Sequence, residues 1–482
     1  MMTAERADRT AACGRTPLPA TGVAAVGVAA LLLLAPAGRA VASGCASGAV
    51  SVAAARAAVE FVGNEVRAAH FHAPLTAEDP AVVALARTSS SLSAAVTPAE
   101  LARRVNAALG AAHDGHLRLE LAPAAVATCA TLPLNLDWTE AGLLVLPGSA
   151  IPAGSRILSI GGRSLEQLDD LAAASIPHEN EYWVHSTFAH EVARADILAG
   201  YRLLERDGSV AIAYQSGQAD PTVVRLMTAP HDPAPHPWVA FEIFEADSTA
   251  VFRLERCDPN DEFYSTLAAF LREVKAKHVR KVVVDLRGNP GGDASVATAV
   301  FESLGLAVAK GFAVDVRVSA PLLHDMPMFE PAGVAPAFEA AGLPAPAADA
   351  RRYTFPGPIV LGLLAQRRGD HVLEYAPGPA LYVLTDGGTF SSASLFAVLV
   401  RDNQIGTLVG EPTGNSATFN GSEIERPLPG LPYVLHVSTA RLVRPDAGAG
   451  PAPTLIPDLR APRTAASIAA GRDAAVELIR HL

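Results

Sequence analysis

The spacing of apolar and polar positions changes character along the chain. Val50 to Arg67 carries apolar residues at helical spacing and reads as a helix. Thr97-Pro-Ala-Glu100 supplies an N-cap, a proline at N1 and a glutamate at N3, opening a second helix that runs through Leu109 and stops at Gly110. A turn at Asp114-Gly115 then gives way to the alternation of a strand ending at Leu121. From Leu132 to about Met227 the pattern is one of short strands and turns, including Ser155 to Ile160, a Gly161-Gly162 turn and a short helix from Leu165 to Ala174. The proline-rich stretch Thr228 to Pro237 marks a linker. Beyond it two strands flank Asp247-Ser-Thr249, Phe263 to His278 is helical, and Lys281-Val-Val-Val-Asp285 reads as a buried strand. Pro331 to Ala350 interrupts the pattern and is expected to be an inserted loop. Leu381 to Leu384 and Thr407 to Val409 are further strands, with an apolar helix, Leu395 to Val400, between them. Strand, helix and strand in alternation predict an α/β fold whose core is a mostly parallel sheet of βαβ units.

Composition narrows the partners. Half the residues are hydrophobic and dispersed, as in a globular protein. The net charge is −11. Residues 1–44, whose four arginines outnumber Glu5 and Asp8 by two, account for none of that excess, and without them it is −13. Nucleic acid and anionic membrane surfaces are therefore poor partners. The N-terminus has an arginine-bearing start, an uncharged apolar run from Gly22 to Gly38 and Ala40-Val-Ala42, the order of a secretory signal. Residues 1–44 are expected to be that signal, so the protein is expected to be exported, periplasmic or secreted, with no stable membrane span after cleavage. Cys45, in Ala42-Ser-Gly-Cys45, is a lesser candidate for lipid attachment. Cys45, Cys129 and Cys257 allow one disulfide in the mature chain, Cys45–Cys129 among the options. His70-Phe-His72 and His113-Asp-Gly-His116 lack the spacing of a known metal motif, so neither a metal nor a cofactor is expected.

Three loops fall at the carboxyl ends of the predicted parallel strands, where α/β sites form: Arg287–Asp293, Thr389–Ser392 and Gly410–Gly414. Two adjacent serines, Ser391 and Ser392, stand at a strand-to-helix turn. A serine placed there either caps the helix or serves as a nucleophile with its Oγ exposed. Gly291 and Gly292 let backbone N–H groups approach a substrate without a Cβ in the way, and with the Ser392 N–H they form a candidate oxyanion hole. No Gly-Lys-Ser/Thr and no Gly-x-Gly-x-x-Gly follows, which disfavours nucleotide binding.

Val283-Val-Asp-Leu-Arg-Gly-Asn-Pro-Gly-Gly292, the serine turn, Gly410-Glu-Pro-Thr413 and the tail Leu455-Ile-Pro-Asp458 together resemble the C-terminal-processing (tail-specific) serine protease family. The resemblance implies a ClpP/crotonase-like core over residues 231–482 and hydrolysis of peptide or unfolded-protein substrates. Its register puts the nucleophile at Ser391. Residues 45–121 form an N-terminal helical domain in this reading. Residues 122–230 are a β-rich segment similar to a degenerate PDZ module, in which Arg156 and Gly161 replace the usual Asp and Asn. The position matching the family's catalytic lysine is Ser416, and all four lysines, Lys275, Lys277, Lys281 and Lys310, precede Ser391. The chain is in this respect similar to a lysine-lacking branch that includes the tricorn core protease and the interphotoreceptor retinoid-binding protein relatives. In tricorn-like proteases a histidine from the preceding helical domain is the base, and His116 matches that turn. The glutamate such proteases take from their C-terminal segment has no counterpart here, and Glu423, Glu425 and Asp446 stand as alternatives for the orienting acid. Two functional expectations result: an exported serine peptidase using Ser391 and His116, or an inactive protein binding a peptide or apolar ligand on the same scaffold.

Overall fold

The computed structural model describes residues 48–72, 78–205, 207–230, 236–450 and 452–482. The expected secretory signal and Cys45 lie outside them. The first helix, Val52–Ala69, is capped by Ser51, whose Oγ accepts the Ala54 N–H at 3.2 Å. It buries the stripe Ala55, Ala58, Val59, Val62, Val66 and Ala69. Pro98–Leu109 is capped by Thr97, which accepts the Glu100 N–H at 3.1 Å, as its sequence predicts. Between them stands a helix the apolar spacing does not announce, Pro80–Ser91, started by Asp79 and a proline at N1.

The strand that leaves this helical segment, Arg118–Leu121, pairs antiparallel with Tyr433–Val443 near the other end of the chain, Arg118 opposite His436 and Leu121 opposite Tyr433. The same sheet holds Ala313–Arg317, Arg352–Phe355 and Phe419–Pro427. The N-terminal helices are thus built into a sheet that the C-terminal half supplies.

Residues 136–227 form a separate antiparallel sheet in the order Leu136–Thr139, Gly142–Val145, Arg156–Ile160, Ser209–Gln215 and Thr222–Met227, with Arg163–Ser164 paired to Arg156–Ile160. It has its own core of Leu143, Ile157, Leu168, Phe188 and Ile212. The helix Leu165–Ala173 begins at a reciprocal Ser164–Gln167 cap.

The central sheet runs Val239–Phe244, Thr249–Leu254, Lys281–Asp285, Ala380–Thr385, Thr407–Gly410 and Leu459–Arg460. Its first pair is antiparallel and every other pair is parallel. Val282, Val283 and Val284 are fully buried because helices cover both faces. Val282 and Val284 pack into the main core, whereas Val283 meets Leu384, Val409 and Ile479 of the C-terminal helix Ala474–His481. The Pro331–Ala350 stretch departs from the expected loop: Pro331–Ala340 is a helix that begins with proline at N1, contains Pro336 and buries Val334 and Phe338. Its prolines and alanines suggest an interruption, but Pro331 in the first turn costs no hydrogen bond, and the one lost at Pro336 is offset by burying Val334 and Phe338. Cys129 is disulfide-bonded, and Cys257 is a buried free thiol. Among the described residues no helix is long and apolar enough to cross a membrane.

Candidate active site

The strand Ala380–Thr385 leads through Asp386–Phe390 into the helix Ser391–Asp402. Ser391, its first residue, has φ +50°, a left-handed conformation that costs a non-glycine residue free energy and turns its side chain away from the helix axis. Neighbouring loops hold it there. Asp386 accepts N–H groups from Gly388 at 2.9 Å and from Gly288 of the glycine loop at 2.8 Å. Phe390 N–H donates to Asn289 O at 3.0 Å, and Ser391 N–H donates to Asn415 Oδ1. Thr389 Oγ1 donates to Leu286 O at 2.9 Å, and Gly414 N–H to Thr389 O at 3.0 Å. The three loops predicted to converge are therefore hydrogen-bonded to one another.

Gly291 and Gly292 lie directly against this turn. A Cβ on Gly291 would sit 2.6 Å from Ser391 Cβ and 2.8 Å from Ser392 N, and one on Gly292 would sit 2.2 Å from Cys257 O. Ser392 is buried and its Oγ donates to Gly292 O at 2.7 Å, which leaves Ser391, partly exposed, as the serine free to react. Of the three amides expected to form an oxyanion hole, the Gly291 N–H instead donates to Asn289 Oδ1 at 2.8 Å. The N–H groups of Gly292 and Ser392 enter no hydrogen bond among the described residues.

His116 is only 2% exposed. Its imidazole is sandwiched between Phe390, 4.4 Å away centre to centre, and Phe419, at 5.5 Å, and Trp183 extends the stack beyond Phe390 at 3.9 Å. Among the described residues neither ring nitrogen has a hydrogen-bond partner, so the Ser391–His116 hydrogen bond is not formed in this arrangement. Burial lowers the His116 pKa, with the Glu423 and Asp114 charges opposing that effect and Arg118 adding to it, so the ring is neutral at pH 7. Asp114 anchors the turn. It accepts the His116 N–H at 2.8 Å, His70 Nε2 at 3.0 Å and Asn420 Nδ2 at 3.1 Å, together with the Ser438 hydroxyl. Burial alone would raise the Asp114 pKa, but the His70 and Ser438 hydrogen bonds hold it well below the usual carboxylate range.

Glu179 is the residue that sequence reasoning misses. Its Oε2 accepts the Ser416 N–H at 2.8 Å and Asn415 Nδ2 at 3.3 Å, while its Oε1 has no partner among the described residues. It thus occupies the space beside the position where the resembling family places its lysine, and Asn415 links it to the Ser391 amide. Burial, with the Asp114 charge added, pushes its pKa up to about 8. Asn180 fixes its place by accepting the Trp183 N–H at 3.1 Å, which caps the helix Glu181–Glu191, and by donating to Thr413 O and Pro453 O at 3.2 and 2.8 Å. Ligand atoms of Asp114, His116 and Glu179 all lie within 4.8 Å of one another. The sequence offers no local signal for this meeting, since Glu179 and Ser416 are 237 residues apart. Of the acids considered from sequence, Glu423 is bound to Arg118 and to His436 Nδ1, and Asp446 turns back to accept the Gly448 N–H. Glu425 lies opposite His436 on the strand Phe419–Pro427.

Residues 248–460 match peptidase family S41. The fold is similar to that of mature CPAF complexed with lactacystin, with a TM-score of 0.59 and 13% sequence identity over 89% of this chain and 97% of that one. Mature CPAF alone gives 0.53 and 14% over 87% and 94%. The photosystem II D1 C-terminal processing protease gives 0.41 and 15% over 87% and 98%. No curated protein sequence matches the chain.

Proposed function

We propose that the chain, whose residues 248–460 match peptidase family S41, is an exported serine peptidase in which Ser391 is the nucleophile and His116 the general base. The observation that carries this reading is Ser391 held at positive φ against a glycine loop, with a buried, unpartnered imidazole stacked on the preceding residue.

In this mechanism Ser391 Oγ attacks the carbonyl carbon of the scissile peptide as its proton passes to a ring nitrogen of His116. The Gly292 and Ser392 N–H groups stabilise the negative oxygen of the tetrahedral intermediate. The imidazolium then protonates the departing amine, leaving an acyl group on Ser391. Water, deprotonated by the same imidazole, releases the acid and restores the serine. Glu179 takes the role of the acid that stabilises the imidazolium. The Ser391–His116 bond forms on substrate binding, as catalytic hydrogen bonds that are long in a free enzyme commonly tighten in the complex. The missing lysine supports placing the chain with the histidine-using branch.

Labelling with a fluorophosphonate tests the assignment. Wild type should label, Ser391→Ala should not, and His116→Ala should label at least about 100-fold more slowly. The unformed Ser391–His116 bond favours one other reading, a binding protein that has lost catalysis. Equal labelling of wild type and Ser391→Ala, or none between pH 5 and 9, would establish that reading over the peptidase.

A further inference from the structure

Two groups with unsatisfied atoms lie within 4.8 Å of each other, one of them stacked on Phe390. His116 is 2% exposed, and among the described residues neither its ring nitrogens nor the buried Glu179 Oε1 has a partner. Buried polar atoms almost always find a partner, so a pair of orphans from segments far apart in sequence calls for one. We propose that Asp114, His116 and Glu179 form a binding site for a divalent transition-metal ion, best suited to Zn2+, and that the bound ion reversibly inhibits the enzyme. The binding site stands on the cluster alone, whereas the inhibition rests on His116 being the base.

The donor set is one imidazole nitrogen and two carboxylate oxygens. Imidazole disfavours Mg2+ and Ca2+, and such mixed sites hold Zn2+ more tightly than Mn2+. Three protein ligands leave one tetrahedral position open on zinc. Asp114 Oδ2 is occupied by His70, Asn420 and Ser438, but Oδ1 accepts only the His116 N–H and keeps a lone pair. The partners of Asp114, together with Asn415 and Ser416 on Glu179 Oε2, orient both carboxylates as outer-shell groups orient metal ligands. Phe390 and Phe419 close the two faces of the imidazole, leaving the ring edge, where the nitrogen lone pair lies, as its reactive side. Zinc bonds of about 2.0–2.2 Å require the ligand atoms to draw inward from their present separations of up to 4.8 Å. Glu179 Oε1 breaks no hydrogen bond in making that movement. An imidazole held by a dication cannot accept the Ser391 proton without placing a second positive charge beside the first.

Calorimetric titration of ZnCl2 into the full chain, paralleled by visible absorption with Co2+, should show one site. Glu179→Gln, which keeps the side-chain volume, and His116→Ala should each weaken it at least about tenfold, with circular dichroism confirming that both variants fold. His324→Ala, a change at an exposed histidine, should leave the affinity as it is. No site, or one equally strong in both cluster variants, overturns the proposal. Fluorophosphonate labelling of wild type should slow at least about tenfold in saturating Zn2+ and recover with a chelator, and labelling indifferent to bound Zn2+ overturns the inhibitory role. A protein that binds Zn2+ through His116 yet never labels at Ser391 would refute the peptidase reading while leaving the metal site in place.

Discussion

Gly291 leaves no room for a side chain against Ser391. Adding one carbon forces it to 2.6 Å from Ser391 Cβ, in a backbone conformation, φ +105°, that already penalises a side chain. Gly291→Ala is expected to lower kcat/KM at least about 100-fold, the scale of a damaged oxyanion site, and the comparison of its kinetics with wild type checks this. Two titrations should shape the pH profile. His116, its pKa lowered by burial, loses basicity only when protonated, so the acid limb of kcat/KM should lie below pH 6.5. Glu179, pushed up to about 8, becomes a carboxylate only above that pH, so activity should climb again between pH 7 and 9 as it gains the charge that stabilises the imidazolium. Glu179→Gln should abolish that upper rise and cost about 100-fold at pH 9. A wild-type profile flat above pH 7 would remove Glu179 from the mechanism. The contrast between these residues explains what was legible. The proposed nucleophile Ser391 announces itself through the strand, glycines and helix around it, whereas Glu179 is set by hydrogen bonds to Asn415 and Ser416 that no neighbouring residue encodes.

Helices and strands deliver these residues, and one cap matters more than its size suggests. Asn180 both starts the helix Glu181–Glu191 and ties it to Thr413 and Pro453. Asn180→Ala should destabilise the fold by about 1–2 kcal/mol, as lost caps do, and should also lower activity at pH 9 by releasing Glu179. Chemical denaturation checks the first effect and the pH–rate profile the second. A stability loss with an unaltered profile would make the cap purely structural. Elements with strong local signals match their readings closely: the valine strand Lys281–Asp285, the Thr97 cap and the Ser248 turn between Val239–Phe244 and Thr249–Leu254. Pro80–Ser91 is obscured by its polar Thr88-Ser-Ser-Ser91 end, and Pro331–Ala340 by a composition shared with loops.

The whole molecule carries buried acids of opposite kinds, and its stability should reflect both. Glu179 and Glu411 are each pushed up to about 8 by burial, Glu411 also by the Asp137 and Asp386 charges, against about 4.3 for a free glutamate. The folded state therefore binds more protons than the unfolded state between those values, and stability falls as pH rises from about 4.3 to 8. Despite burial, Asp114 and Glu423 are held low by hydrogen bonds from His70 and Ser438 and by Arg118 and His436, and their contribution is lost as pH drops below about 4. Thermal unfolding should give a Tm roughly 2–4 °C lower at pH 8.5 than at pH 5.5, a difference that Glu179→Gln with Glu411→Gln largely removes. A Tm that rises over that interval would contradict the assignment.

The antiparallel pairing of Arg118–Leu121 with Tyr433–Val443 has a consequence for how the protein is made. Asp114 and Ser438, hydrogen-bonded to each other in the sheet that supports the His116 turn, are 324 residues apart. Closing so long a loop is slow, and domains otherwise begin to fold from the N-terminus as they emerge during synthesis. Here the first helices must wait for nearly the last strand before their sheet can form. A nascent chain consequently lacks the seat for the His116 imidazole until the far end arrives.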